Sequence, residues 1–138
     1  MWSKEAQLVS LHAEPVVAGK VNLTAGGSID FFFGKPTGEG FGSGARVSGR
    51  RLSIKVRGSG TEVDEVAAAP GRAALEPNCP LDEAVRKATA AGIAPSTPLS
   101  VSYEVADKYK KAVWRIGPSG SSAGSRTIDG WSCAILVR

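Results

Sequence analysis

Apolar and polar residues alternate along most of this chain, most cleanly from residue 99 onward. Leu99, Val101, Tyr103 and Val105 interleave with Ser100, Ser102 and Glu104, the period of two expected of a strand with one buried face. Ala106-Asp107-Lys108-Tyr109 reads as a turn. Ala112, Trp114 and Ile116 then alternate with Lys111, Val113 and Arg115, which predicts an antiparallel partner strand with Trp114 as its bulky core residue. Ser125 to Ile128 resumes a strand, Asp129-Gly130 supplies a hairpin turn, and Ser132 to Val137 closes the pattern.

Just upstream the period changes. Leu81, Ala84, Val85, Ala88 and Ala91 recur at helical spacing, with Pro80 suited to the first helical position and Asp82 and Glu83 to the positive end of the helix dipole. Gly92 is a left-handed stop, Ile93 folds back on the last turn, and Pro95 and Pro98 forbid continuation. The prediction is a short helix over 80–91. Its stripe is mostly alanine, so it must lie close against a broad surface.

The N-terminal half also alternates. Residues 7–13 predict a strand ended by Pro15, Lys20 to Thr24 a second, and Ser28 to Phe33 a third with Ile29, Phe31 and Phe33 on one face. Ala25-Gly26-Gly27 makes the intervening turn. Gly34 to Gly44 reads as a glycine-rich loop. Arg50 to Arg57 is a strand with Leu52, Ile54 and Val56 inward and Arg51, Ser53, Lys55 and Arg57 outward; Thr61 to Val66 is a shorter one. Residues 67–77, rich in alanine and proline, read as a connector, and Gly117 to Gly124 as a Gly/Ser loop. The fold class is therefore α+β: a twisted antiparallel sheet with one short helix packed on it.

The 138 residues suffice for a single domain, 1–138, with candidate halves 1–66 and 78–138. No apolar run approaches the roughly 20 residues that span a bilayer. The N-terminus lacks the apolar core of a signal peptide. This suggests either a cytoplasmic protein or one whose targeting segment lies outside this sequence. Cys79 and Cys133 are the only cysteines. They read equally as a disulfide, worth roughly 4 kcal/mol and pointing outside the cytoplasm, or as two buried thiols.

The net charge of +4 is mild. Arg46, Arg50, Arg51, Lys55 and Arg57 form one basic cluster, and Lys108, Lys110, Lys111 and Arg115 another. On strands such charges form solvated faces and blunt edges, a reading that outweighs a nucleic-acid footprint. Catalytic patterns are weak. Gly38 to Gly44 precedes a strand, not the helix a dinucleotide loop requires, and no P-loop lysine follows. His12, the sole histidine, sits within a strand pattern without a nucleophile elbow. Two cysteines and one histidine, far apart, lack metal-ligand spacing. Cys79 at a helix start would be activated if free, yet has no Cys-x-x-Cys companion. Asn22-Leu23-Thr24 matches a glycosylation acceptor by spacing alone. Among Trp2, Tyr103, Tyr109, Trp114 and Trp131, the turn residues Tyr109 and Trp131 are those expected at the surface.

With the helix, hairpin and closing strands in sequence, the C-terminal half resembles the PepSY domain and, more loosely, the cystatin-like α+β pattern. The residues that carry it are Ala84-Val85-Arg86-Lys87-Ala88 to Gly92, Leu99 to Val105, Ala112 to Ile116, and Thr127-Ile128-Asp129-Gly130. The family's usual Asp-x-x-Thr-Gly ending is replaced by Asp129-Gly130-Trp131-Ser132-Cys133. The resemblance implies an extracytoplasmic, non-catalytic domain that binds or inhibits other proteins, and a degenerate second copy in the N-terminal half with its helix missing or upstream. The expected function is a periplasmic or extracellular binding or accessory module. It takes no cofactor and contacts a protein partner or its own kind through Tyr109, Trp131, Arg51, Lys55 and Arg57. The alternative is an anionic-polymer or nucleic-acid binder using the Arg46–Arg57 strand.

Overall fold

The computed structural model describes residues 6–17, 20–23, 26–36, 46–68, 71–74, 77–94, 97–106, 108–120 and 124–136. Trp2, Thr24, Ala25, the glycine loop 38–44, Pro95, Asp107, residues 121–123 and Val137 lie outside the described residues. In chain order the elements are β1 (Gln7–Val17), β2 (Lys20–Val21), β3 (Ser28–Pro36), β4 (Arg46–Arg57), β5 (Gly60–Ala67) and β6 (Gly71–Arg72). Then come α1 (Leu81–Ala90), β7 (Leu99–Ala106), β8 (Lys111–Pro118), β9 (Arg126–Asp129) and β10 (Ile135–Leu136).

Pairing is antiparallel throughout, in the order β10-β9-β8-β7-β1-β3-β4-β5, with β2 beside β1 and β6 beside β4. Each half is a meander, and the two meet through their first long strands, β1 and β7. The registers align one apolar row across the sheet: Val63, Ile54, Phe31, Leu11, Tyr103, Trp114, Ile128 and Ile135. Its middle is closed, with Tyr103, Trp114 and Ile128 buried. Its ends are open, Val63 being 59% and Ile135 43% exposed.

The predicted helix forms and lies over β8 and β9. Ala84 and Ala88 are the buried positions, and their small side chains allow the close approach that an alanine stripe requires. Leu81 and Val85 pack against the same core. The start falls one residue later than predicted: Pro80 is extended and serves as N-cap, with Leu81 the first helical residue. The stop is as expected. Gly92 takes φ +116°, a conformation costly for any side chain, and the Ile93 N–H returns to the Ala88 carbonyl with Ile93 buried. Arg126 Nε donates to the Ala91 carbonyl at 3.2 Å, placing a cation at the negative end of the helix.

Several expectations are corrected. Pro15 does not end β1. The register with β7 shifts between Ala13 and Val16, so both face the core while Pro15 sits in the irregularity. A second shift, between Leu8 and Ser10, puts Leu8 and Leu11 on the apolar face together. The second strand is only Lys20–Val21, and the closing one only Ile135–Leu136. Val113, expected outward, is fully buried between Glu104 and Asp129 of the flanking strands. Residues 71–74, within the predicted connector, are structured. Gly71–Arg72 pairs with β4, Ala73 and Ala74 are buried, and the Ala74 N–H bonds the Leu8 carbonyl at 2.7 Å.

Arg51 and Ser53 were expected outward, yet both are buried, Arg51 to 5% exposure. They share the face of Gly34, where β4 slips register against β3: Val47 lies against Gly34 and Gly71 against the Arg51 guanidinium. Leu52, Ile54 and Val56 do occupy the apolar face, but α1 does not reach them and they stay half-exposed.

Candidate functional site

Between β9 and β10, residues 130–133 form a turn that displays Trp131 at 65% exposure. The Asp129 carboxylate accepts the Trp131 N–H at 2.8 Å and the Ser132 N–H at 3.3 Å, and its other oxygen pairs with the Lys111 ammonium. The backbone closes with Asp129 N–H to Ala134 O at 2.8 Å and Cys133 N–H to Asp129 O at 3.0 Å. From the helix side, the Cys79 N–H bonds Gly130 O and the Asn78 side-chain amide bonds Trp131 O. A disulfide joins Cys79 to Cys133 at a Cα separation of 5.3 Å, deciding between the two redox states left open by the sequence. Gly130 has no room for a side chain: a Cβ there would sit 2.7 Å from the Tyr103 ring and 2.9 Å from the Ala112 carbonyl.

The electrostatics favour the braced form. Burial alone would raise the Asp129 pKa, but the Lys111 ammonium and the two backbone N–H donors outweigh it, so the net displacement is downward. A carboxyl depressed by folding contributes stability above its unfolded value near 3.9 and loses it as pH falls through the folded one. The turn is therefore expected to loosen below about pH 4. The check is hydrogen-exchange protection of the Trp131 and Ser132 amides, which should drop there and hold from pH 5 upward. Beneath the turn, burial foremost and Asp129 next push the Tyr103 phenol up to about 12.

The other predicted contact residues are dispersed. Tyr109 is half-buried in the β7–β8 turn, with the Lys108 ammonium 5.5 Å from its ring centre. Arg51 is no surface residue: its guanidinium donates to the Ser48 and Arg50 carbonyls, and burial draws its pKa down. It lines a cleft of about 770 Å³ with Arg46, Arg72, Val47 and Glu104. The basic strand meets an acidic neighbour. Arg50 pairs with Glu65, Lys55 lies opposite Glu62, and Arg57 is 4.0 Å from Glu62. The register sets Lys55 directly against Glu62, while Glu65 and Asp64 lie opposite Leu52 and Ser53 and the Arg50–Glu65 pair runs diagonally.

One constellation was invisible in the sequence. Antiparallel pairing sets His12 directly opposite Ser102, with Nδ1 2.9 Å from the serine Oγ, while Nε2 lies 2.8 Å from Glu14 Oε1. Ser119 Oγ donates to Glu14 Oε2 at 2.6 Å. The Ser119 hydroxyl first, then His12, hold the Glu14 carboxyl below its usual value. The residue types are those of a nucleophilic triad, but the setting is wrong for one. Ser102 lies mid-strand between β1 and β8, where backbone N–H groups are committed to the ladders and are not gathered as an oxyanion hole. The chain of bonds links β1, β7 and Ser119, the residue that follows β8. Only the 90-residue separation hid it.

Among the described residues, no group of His, Cys, Asp and Glu could hold a metal ion, and no helix is long and apolar enough to cross a membrane. Fold and turn together define an antiparallel α+β domain that presents a rigid aromatic. No protein-family model, curated protein or solved structure matches the chain.

Proposed function

We propose that this chain is a non-catalytic binding module of an extracytoplasmic protein, contacting a protein partner through the surface centred on Trp131. The carrying observation is that turn. A tryptophan left 65% exposed keeps most of its apolar surface in solvent, yet its backbone is held by a carboxylate, an asparagine and a neighbouring disulfide. Fixing an aromatic anchor before contact removes ordering costs that would otherwise weaken binding, and tryptophan is enriched at binding hot spots. The disulfide supports a location outside the reducing cytoplasm. The engagement of Cys79 in that bond, and the mid-strand setting of Ser102 with its neighbouring backbone N–H groups in the ladders, support a non-catalytic reading.

In this reading the two meanders are degenerate copies of one PepSY-like unit. Support comes from their like strand order on either side of the β1–β7 pair, with α1 preceding and covering only the C-terminal one. The half-exposed Phe31, Phe33, Leu52, Ile54 and Val56 then occupy the face that a second helix would cover.

The test is cross-linking capture from a native extracellular or periplasmic fraction with wild type and Trp131→Ala in parallel. The variant is expected to keep its stability within about 0.5 kcal/mol. It should lose the captured partner by about 2 kcal/mol, roughly 30-fold in affinity. Equal capture by both proteins removes Trp131 from the interface. Labelling of Ser102 by a fluorophosphonate, with ester turnover abolished by Ser102→Ala, would replace the binding reading with a hydrolase.

A further inference from the structure

Strand β5 ends the sheet, and all eight of its residues are exposed. Its hairpin with β4 has two residues in the turn, closing on the Arg57–Gly60 pair, and the same alternation carries through to the Ala68 N–H on the Gly49 carbonyl at 2.6 Å. In an antiparallel ladder this assigns the backbone groups of Gly60, Glu62, Asp64 and Val66 to β4. Those of Thr61, Val63, Glu65 and Ala67 point outward. The open edge therefore offers a run of main-chain donors and acceptors.

Its charge selects what can pair there. β5 carries Glu62, Asp64 and Glu65 and no cation. A second copy laid antiparallel on this edge would bring three carboxylates from each chain into one ladder, where like charges repel. Uniform charge blunts an edge against its own kind and against acidic strands, but not against a basic one. Glu62 and Asp64 lie on one face of β5. Val63 lies on the other and ends the apolar row through Ile54 and Phe31. We infer that β5 is a strand-addition site for an extended basic segment of another protein, one alternating Lys or Arg with β-branched residues. Its cations meet Glu62 and Asp64, its apolar side chains continue the row beyond Val63, and its backbone bonds Thr61, Val63 and Glu65.

This surface is separate from the Trp131 turn, and one experiment keeps the two apart. The probe is a fluorescein-labelled, C-terminally amidated heptapeptide alternating lysine and valine, titrated by fluorescence anisotropy; a glutamate–valine peptide serves as control. The lysine peptide is expected to bind and to shift the amide resonances of Thr61, Val63 and Glu65, with affinity falling as salt rises. The glutamate peptide should bind at least tenfold more weakly. Val63→Pro should weaken binding tenfold or more while leaving the β4 ladder whole, because the N–H it removes faces outward. Asp64→Lys, an exposed change opposite Ser53, should weaken it several-fold without touching the backbone. Trp131→Ala should leave the peptide affinity unchanged whether or not Trp131 serves its own partner. Equal binding of the two peptides, unaltered affinity in Val63→Pro or Asp64→Lys, or no binding at millimolar peptide would overturn the assignment.

Discussion

Replacing Trp114 with alanine is expected to cost about 3–5 kcal/mol, the range for deleting a large buried aromatic. The indole is buried, packs on the Tyr103 ring at a centroid distance of 4.7 Å, and lies in the register row under α1. It also donates its N–H to the Cys79 carbonyl at 2.9 Å, so truncation leaves that acceptor unpaired. Trp114→Phe separates the two contributions. It retains most of the packing and loses the bond, with an expected cost of about 1–3 kcal/mol. Urea unfolding of the three proteins provides the comparison. An alanine variant within 1 kcal/mol of wild type would mean that the indole is not the centre of the core.

Removing the Cys79–Cys133 bond is the second large effect. Its sequence separation of 54 residues corresponds in the chain-entropy model to about 4 kcal/mol. For a chain of this length that lowers Tm by roughly 10–15 °C. Reductant should produce this shift in wild type and none in Cys79→Ala/Cys133→Ala. A melting curve indifferent to reductant would contradict the bond. Cys133 sits at φ +66°, a left-handed conformation that alanine tolerates poorly and glycine does not resist. Cys79→Ala/Cys133→Gly should therefore be the more stable of the two double variants. Because Trp114 bonds the carbonyl of Cys79 itself, the disulfide and tryptophan losses should not add, and a double-mutant cycle should show the coupling.

These expectations come from a part of the chain that sequence reading reached well. The helix was legible because local features agree: a proline at its start, early carboxylates, the alanine stripe, a glycine stop. Strand β7 was legible because buried positions alternate with half-buried ones, and β8 because Lys111 and Arg115 mark an outer face that only Val113 breaks. The reading failed where a strand has no plainly solvated face. Arg51 and Ser53 alternate with Leu52 and Ile54 in the pattern of an ordinary half-buried strand. Yet Arg51 and Ser53 are buried, with β6 paired to β4 and Gly71 against the Arg51 guanidinium, while the apolar set stays half-open. Val113 misled for a similar reason, lying in a strand flanked on both sides.

Of the candidate contact residues, Trp131 was placed at the surface by its neighbours in sequence, but its immobilisation was not. Asp129 is local. Asn78, Cys79 and Lys111 come from elsewhere in the chain, and only the packing of α1 beside β8 and β9 brings them to the turn. The same limit hid the Ser102–His12–Glu14 chain and the Arg50–Glu65 pair between β4 and β5.

What the amino-acid order settled unaided was each element whose spacing shows one oily side, because burial of that side is decided within a few residues. Tertiary pairing decided the rest: which strand ends the sheet, which arginine goes under, and which tryptophan is held out. Those outcomes depend on registers between segments tens of residues apart, and no local period records them.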